Sequence, residues 1–169
     1  MKAIGHCRAC LVLALGPILA AQQAAGIPNF HQVNAHIYRG AQPSTRGFCS
    51  LANLGVKTII DLRGGGHRSA AERRIVEAAG MRYVSIPLSD IFAPTDQQVS
   101  RLLALLNEAA TGPVFIHCRR GDDRTGTIIA CYRISHDHWE NRQALDEALA
   151  NGMSRTEILM RHYVLHFKP

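Results

Sequence analysis

Residues 114–126 read VFIHCRRGDDRTG, and this stretch decides the fold. Its first three residues form a short apolar strand, and a helical pattern resumes after Arg124. In α/β sheets, ligands bind where strands end and helices begin. A short glycine-containing loop at that point can turn its backbone N–H groups inward around an anion, and the following helix adds the positive end of its dipole. The stretch therefore predicts an anion site on the segment from Cys118 to Arg124, called here the phosphate loop.

Strands and helices alternate on both sides of this loop. The pattern predicts strands over about 36–39, 56–62 and 81–86, and helices over about 43–54, 69–79, 95–110, 140–150 and 155–166. Three pairs have the spacing of capping boxes, namely Ser69/Glu72, Thr95/Gln98 and Ser154/Glu157. This alternation is typical of α/β folds. We expect a mostly parallel central sheet of four to five strands flanked by helices, with the phosphate loop between a central strand and a helix.

Composition narrows the class of protein. The chain has 169 residues, 47% of them hydrophobic, which suits one compact domain and is too apolar for a disordered chain. The net charge is +6, and loss of Lys2 and Arg8 with the expected signal peptide would leave +4, a mild charge that indicates an anionic substrate rather than a nucleic-acid surface. No apolar run reaches the roughly 18–20 residues of a membrane-spanning helix.

The first residues have the pattern of a targeting segment. A basic start, about ten apolar residues and then small residues describe a secretory signal peptide, and no acidic residue precedes Asp61. We expect a signal peptide over residues 1–21, a leader segment over 22–35 and a single domain over 36–169. The expected location is periplasmic or secreted.

The phosphate loop carries residue types suited to phosphoryl transfer. Helix N-termini, oriented amides and a nearby Arg favour the thiolate form of a cysteine, so Cys118 is the expected nucleophile. Arg124 offers a planar fork to two phosphate oxygens. His117 is expected to orient the loop and support the thiolate, and the Thr125 hydroxyl to stabilise the leaving thiolate. The expected phosphate-binding residues are Arg119, Arg120, Gly121, Asp122, Asp123 and Arg124.

The stretch HCRRGDDRTG resembles the phosphate loop of Cys-based protein tyrosine phosphatases, particularly the bacterial and atypical dual-specificity type. YRGAQPS at residues 38–44, LGVKTIIDLR at 54–63 and YVSIPLSD at 83–90 are similar to other segments of that family. The resemblance implies a general acid after the strand at 83–86, where Asp90 lies. Asp123 is the alternative acid, because some relatives are thought to use an Asp just before the Arg. Asp122 and Asp96 are further alternatives.

Together these features predict a phosphomonoesterase that works through a cysteinyl-phosphate intermediate and needs no metal and no organic cofactor. The expected substrate is a phosphorylated protein, with a small polyanionic phosphoester such as a phosphoinositide or inositol phosphate as the alternative. Two other classes remain open, a non-catalytic module that binds phosphorylated ligands and a sulfur-transfer or thiol-redox enzyme. A bridge between Cys49 and Cys131 is also left open, and the sequence does not predict an oligomeric state.

Overall fold

The computed structural model describes residues 25–169, so the predicted signal peptide lies outside the described residues. Residues 25–169 form a five-stranded sheet with the order β1-β2-β5-β3-β4. The strands are β1 (His31–Gln32), β2 (Ile37–Gly40), β3 (Thr58–Asp61), β4 (Arg82–Ser85) and β5 (Val114–His117). Only β1 is antiparallel to its neighbour, and the other pairs are parallel. The expected α/β class with a mostly parallel sheet is therefore confirmed.

Six helices surround this sheet within the described part of the chain. They are α1 (Thr45–Asn53), α2 (His67–Ala78), α3 (Asp96–Asn107), α4 (Asp123–Ser135), α5 (Asn141–Ala150) and α6 (Ile158–His166). Residues of α1 and α2 pack on one face of the sheet, and residues of α3 and α4 pack on the other. Helices α5 and α6 pack against α4. No helix between residues 25 and 169 has the length and apolar character needed to cross a membrane.

The central strand β5 shows why the sheet is buried on both sides. Phe115 belongs to the cluster of α1 and α2, whereas Val114 and Ile116 belong to the cluster of α3 and α4. Alternate side chains of a strand point to opposite faces, so both faces of β5 must be apolar. Because β5 is the central strand, its carboxyl end and the following Cys118 lie in the middle of the side of the sheet where the parallel strands end.

The segment from residue 25 to 35, which falls in the predicted leader, packs on the domain. Ile27 is buried against the α1 side of the sheet, and β1 pairs with β2 through His31 and Gln32. The sequence pattern of this segment had indicated no strand.

One of the three predicted helix caps is confirmed, and two are wrong. The Thr95/Gln98 capping box is confirmed, since each side chain accepts a hydrogen bond from the other residue's backbone N–H. The Ser69/Glu72 box is wrong, because α2 already begins at His67 and both residues lie inside it. The Ser154 cap is also wrong, because α6 begins only at Ile158.

Candidate active site

Cys118 lies at the carboxyl end of β5 and is 1% exposed. The backbone N–H of Gly121 donates a hydrogen bond to its Sγ atom at 3.2 Å. The sulfur is therefore enclosed by its own loop, with a backbone amide directed at it as the sequence predicts for a phosphate loop.

Gly121 is the residue that lets the loop close this tightly. Its φ angle is +78°, and an added Cβ would lie 2.2 Å from the carbonyl carbon of Gly40. A side chain is therefore excluded both by the left-handed conformation and by the backbone of β2. From the same strand, Arg39 is 1% exposed and its Nη2 donates to the Gly121 carbonyl oxygen at 2.6 Å.

His117 holds the loop from its other side, although not through the sulfur. Its Nδ1 lies 3.1 Å from the carbonyl oxygen of Cys118, and its Nε2 lies 2.9 Å from Oε1 of Glu72 on α2. The ring is completely buried. His117 therefore contacts the backbone of Cys118, while a hydrogen bond to the sulfur is not among its contacts, and its role at the site stays a prediction.

A buried ion-pair network continues from Glu72. The Arg63 guanidinium donates to both oxygens of Asp61, at 2.8 and 2.7 Å, and to Glu72 at 2.5 Å. Tyr83 donates to Asp61 at 2.6 Å. Burial acts to raise the pKa of the Asp61 carboxyl, but hydrogen bonds from Arg63 and Tyr83 and the nearby His117 outweigh it and hold that pKa below its usual range.

This network also explains the misread capping box. Glu72 faces inward because the buried Arg63 guanidinium needs a counter-charge, and the His117 ring lies against the same carboxylate. Ser69 donates to the carboxylate of Asp61 at 3.3 Å. Asp61, Glu72 and His117 bring ligating atoms within 4.8 Å of one another, but Arg63 already donates to both carboxylates, so these groups fit an ion-pair network better than a metal site.

The two consecutive Asp residues of the loop are occupied by internal contacts. Asp122 accepts from the backbone N–H of Asp123 at 2.8 Å, and Asp123 accepts from the backbone N–H of Ser154 at 2.8 Å. Arg120 donates to both carboxylates, each at 2.7 Å. These hydrogen bonds raise the pKa of the Arg120 guanidinium, Asp122 first and Asp123 second. Because Asp123 is 7% exposed and both of its oxygens accept hydrogen bonds, its contacts favour a structural role over that of general acid.

Asp90, by contrast, is exposed and lies on the same cleft as the arginines of the loop. Two adjoining depressions meet at Asp90, Arg119 and Arg124, one of about 480 Å³ and one of about 490 Å³. The Arg124 side chain is half-buried there. A larger cleft of about 860 Å³ runs along residues 25–31 and 42–44, but Arg124 does not line it, and the enclosed Cys118 lines none of the three. The cleft at Asp90 therefore brings together the predicted acid and the predicted phosphate ligands.

The two depressions differ in charge, and we name them by it. The basic half is lined by residues 63–65, His67, Arg68 and Gln42, besides the three shared residues. The acidic half is lined by Arg120, Asp122, Asp123, Glu157 and Met160, besides the same three. Burial and then the neighbouring carboxylate of Asp123 raise the pKa of Glu157. The sequence had paired Glu157 with Ser154 as a helix cap and had not placed it at the site, because only the fold brings the start of α6 to the loop.

Two further predicted candidates, Thr125 and Asp96, do not line the cleft. The Thr125 hydroxyl is buried and has no hydrogen-bond partner among the described residues, so its role at the sulfur stays a prediction. Asp96 lies in the first turn of α3 and accepts from the hydroxyl of Tyr163 at 2.8 Å. It does not line either half of the cleft.

The remaining cysteines are separate from this site. Cys49 is free and exposed on α1, and Cys131 is free and buried in α4. Burial strongly raises the pKa of the Cys131 thiol. The structure therefore contains no bridge between these two described residues.

Comparison with known proteins agrees with this geometry. The dual specificity protein phosphatase TpbA of Pseudomonas aeruginosa (strain UCBPP-PA14) is 30% identical over 124 residues, which cover 73% of this chain and 55% of that protein. The inositol diphosphatase DSP5 of Arabidopsis thaliana is 31% identical over 112 residues, which cover 63% of this chain and 53% of that protein. The chain thus spans little more than half the length of these two relatives.

A solved structure shows the same fold. The crystal structure of P. aeruginosa TpbA matches with a TM-score of 0.71 and 28% identity, covering 83% of this chain and 86% of that one. Residues 21–164 match the protein family described as a DSP-PTPase phosphatase fused to NAD+ kinase. Because that match takes in most of the chain, the protein belongs to this family of dual-specificity-type phosphatase domains.

Proposed function

We propose that this protein is a phosphomonoesterase that removes phosphate from phosphorylated proteins through a cysteinyl-phosphate intermediate. The observation that carries the proposal is the enclosed Cys118 sulfur, which accepts a hydrogen bond from Gly121 at the base of a loop whose Arg124 lines the cleft. A ring of amides and one guanidinium stabilises the charge that develops on the equatorial phosphate oxygens.

The reaction has two steps. In the first, the Cys118 thiolate attacks phosphorus, the ester P–O bond breaks, and protonated Asp90 gives its proton to the leaving oxygen. In the second, water attacks phosphorus, the S–P bond breaks, and the Asp90 carboxylate takes a proton from that water. Orthophosphate leaves, and both the thiolate and the acid are restored. Asp90 suits this role because its carboxyl is exposed on the cleft beside Arg124.

The experiment measures phosphate release from p-nitrophenyl phosphate and from phenyl phosphate. Cys118→Ser is expected to abolish release from both, and vanadate to inhibit the unmodified protein. Asp90→Asn is expected to slow phenyl phosphate more than p-nitrophenyl phosphate, because the poorer leaving group depends more on protonation. Activity that EDTA removes and that survives Cys118→Ser would overturn the proposal.

Asp123→Asn is the matched comparison for the general acid. It removes the same charge from the same cleft, but Asp123 binds Ser154 and Arg120. We expect this variant to lose stability while keeping the ratio of rates on the two esters. A change in that ratio with Asp123→Asn and none with Asp90→Asn would assign the acid to Asp123.

A small polyanionic phosphoester is the second candidate substrate. The observation that favours it is the basic half of the cleft, where His67 and Arg68 accompany Arg119 and Arg124. The relative named inositol diphosphatase is consistent with it. A side-by-side comparison of kcat/KM for phosphotyrosyl peptide, phosphoseryl peptide and inositol hexakisphosphate separates the two candidates. A non-catalytic module would bind these ligands and release no phosphate.

We also propose export through the signal peptide over residues 1–21, which the basic and apolar pattern of these residues supports. Fractionation of cells that produce the full chain, with N-terminal sequencing of the product, tests it. Recovery of the uncleaved chain in the cytoplasm would contradict this proposal.

A further inference from the structure

The two halves of the cleft lead to different surfaces. Beyond the acidic half lie four strongly exposed apolar side chains, called here the apolar rim: Ile91 (65% exposed), Phe92 (64%), Ile158 (71%) and Leu159 (48%). Each pair directly follows a cleft residue, Asp90 in one case and Glu157 in the other. Large exposed apolar side chains that adjoin residues of a polar cleft in the sequence are candidates for an interaction site.

The loop that carries Ile91 and Phe92 has a defined turn. The Ser89 hydroxyl oxygen accepts hydrogen bonds from the backbone N–H groups of both residues, at 3.1 and 3.0 Å. Gln98 on α3 donates to the carbonyl oxygen of Pro87 at 2.9 Å and fixes the start of the loop. The two apolar side chains are therefore presented to solvent by an ordered turn.

The basic half offers positive charge through Arg68, Arg119 and Arg124. His67 and Arg68 are exposed in the first turn of α2, and their helix has neither a capping side chain nor an acidic residue in that turn. Arg63 lines this wall as well, but its charge is taken by Asp61 and Glu72. An acidic group that enters from this side faces His67 and Arg68.

We infer that the cleft recognises a phosphopeptide segment that carries an apolar side chain on one side of the phosphorylated residue and an acidic side chain on the other. The phosphate occupies the loop at Cys118, the apolar side chain contacts the apolar rim, and the acidic side chain lies beside Arg68. This inference rests on the proposed function and names the substrate class for the same site.

Apolar contacts and charge distinguish this phosphopeptide from two other ligands. An inositol phosphate has no apolar side chain to cover the rim. An anionic membrane would meet Asp90 and Glu157 next to the rim, and the acidic half carries four carboxylates against three arginines. This half therefore offers anionic lipid headgroups no net positive charge.

The test compares four phosphotyrosyl peptides of equal length, flanked by acidic then apolar residues, apolar then acidic, acidic on both sides, or apolar on both sides. We expect the better of the two mixed peptides to exceed the peptide with two acidic flanks by roughly 10-fold in kcat/KM, since burying most of an Ile or Phe side chain has about that effect. It should also exceed the peptide with two apolar flanks, because only its acidic side chain lies beside Arg68. Equal rates on all four peptides would overturn the inference, whereas failure to release phosphate from any ester would overturn the proposed function itself.

Variants then assign the preference to the two walls. The double change Ile91→Ser and Phe92→Ser is expected to lower the ratio of peptide to p-nitrophenyl phosphate kcat/KM about 10-fold for peptides with an apolar flank. Ile75→Ser, a change on α2 outside the cleft, should leave that ratio as it was. Arg68→Gln should reduce the preference for an acidic flank, and Arg74→Gln, which removes the same charge from the same helix, should not.

Two further arms address the competing ligands. Sedimentation with phosphatidylglycerol vesicles is expected to leave the protein in solution, and rim-dependent sedimentation would identify the rim as a membrane contact and overturn the inference. A kcat/KM for inositol hexakisphosphate above that of the best peptide would also overturn it.

Discussion

Gly121→Ala provides the sharpest test of how the phosphate loop is seated. Gly121 has φ +78°, and its added Cβ would lie 2.2 Å from the carbonyl carbon of Gly40 and 2.4 Å from the nitrogen of Ala41. Backbone atoms cannot rotate away as the end of a side chain can, so the loop or β2 must shift. Gly80 is the matched control, because its φ is +76° and an added Cβ there would meet nothing within 4 Å.

The two variants separate conformational strain from collision. The left-handed conformation costs an Ala roughly 1 kcal/mol, and both variants lose that. Overpacking against fixed atoms adds about 2 kcal/mol for Gly121→Ala alone. For a domain of this size we expect a melting temperature roughly 6 °C below that of Gly80→Ala.

Activity should also be lower in Gly121→Ala than in Gly80→Ala. Gly121 directs its N–H at the Cys118 sulfur, so a shift of about 1 Å in the loop is expected to lower kcat/KM for p-nitrophenyl phosphate about 100-fold. Gly80→Ala should stay within about twofold of the unmodified protein, because Gly80 lies away from the loop. Thermal unfolding measures the melting temperature, urea unfolding measures the unfolding free energy, and phosphate release measures kcat/KM. Equal losses of unfolding free energy in the two variants would refute the seating of Gly121 against β2.

Three further predictions concern the buried groups around the loop. Glu72→Gln, which removes the counter-charge of Arg63, is expected to lower the free energy of urea unfolding by roughly 3 kcal/mol, whereas Glu77→Gln in an exposed pair should change it by less than about 0.5 kcal/mol; equal losses would contradict the buried network. Folding lowers the pKa of the Asp61 carboxyl, so the native state binds fewer protons than the unfolded state. The stabilisation that ionised Asp61 gives is therefore complete above its ordinary pKa of about 3.9 and is lost as pH falls through the lowered pKa. Asp61→Asn should therefore flatten the acid limb of unfolding free energy against pH, and an unchanged limb would assign it to other groups. Thr125→Val removes an unpartnered buried hydroxyl, so stability should hold or rise. The variant should release a burst of p-nitrophenol and then turn over slowly, because its phosphoenzyme hydrolyses slowly. Unchanged turnover would remove Thr125 from the mechanism.

The central part of the fold could be predicted from the sequence because its signals are local. An apolar run, a glycine-containing loop and a helical pattern between residues 114 and 135 specify strand, turn and helix without reference to the rest of the chain. The Thr95/Gln98 box was predicted for the same reason. In each case the interacting residues are only a few positions apart.

The misread parts depend on contacts between distant segments. The spacing of Ser69 and Glu72 fits a capping box, but burial of His117, 45 positions away, determines what Glu72 faces. Asp90 and Asp123 were both candidates for the general acid, and their sequence context does not distinguish them. Ser154 and Arg120 occupy the Asp123 carboxylate only in the folded chain, and these contacts favour Asp90 as the proposed acid.

The strand order has a consequence for how this domain could change its substrates. The nucleophile follows β5, which has neighbours on both sides, whereas Asp90 and the apolar side chains beside it follow β4 at the border of the sheet. Insertions and exchanges after a border strand disturb few backbone pairings, while the same changes after β5 would break pairings on two sides. The sulfur site after β5 and the apolar side chains after β4 are thus held by different strands, and a new preference can evolve beyond Asp90 while the sulfur site and the proposed acid stay as they are.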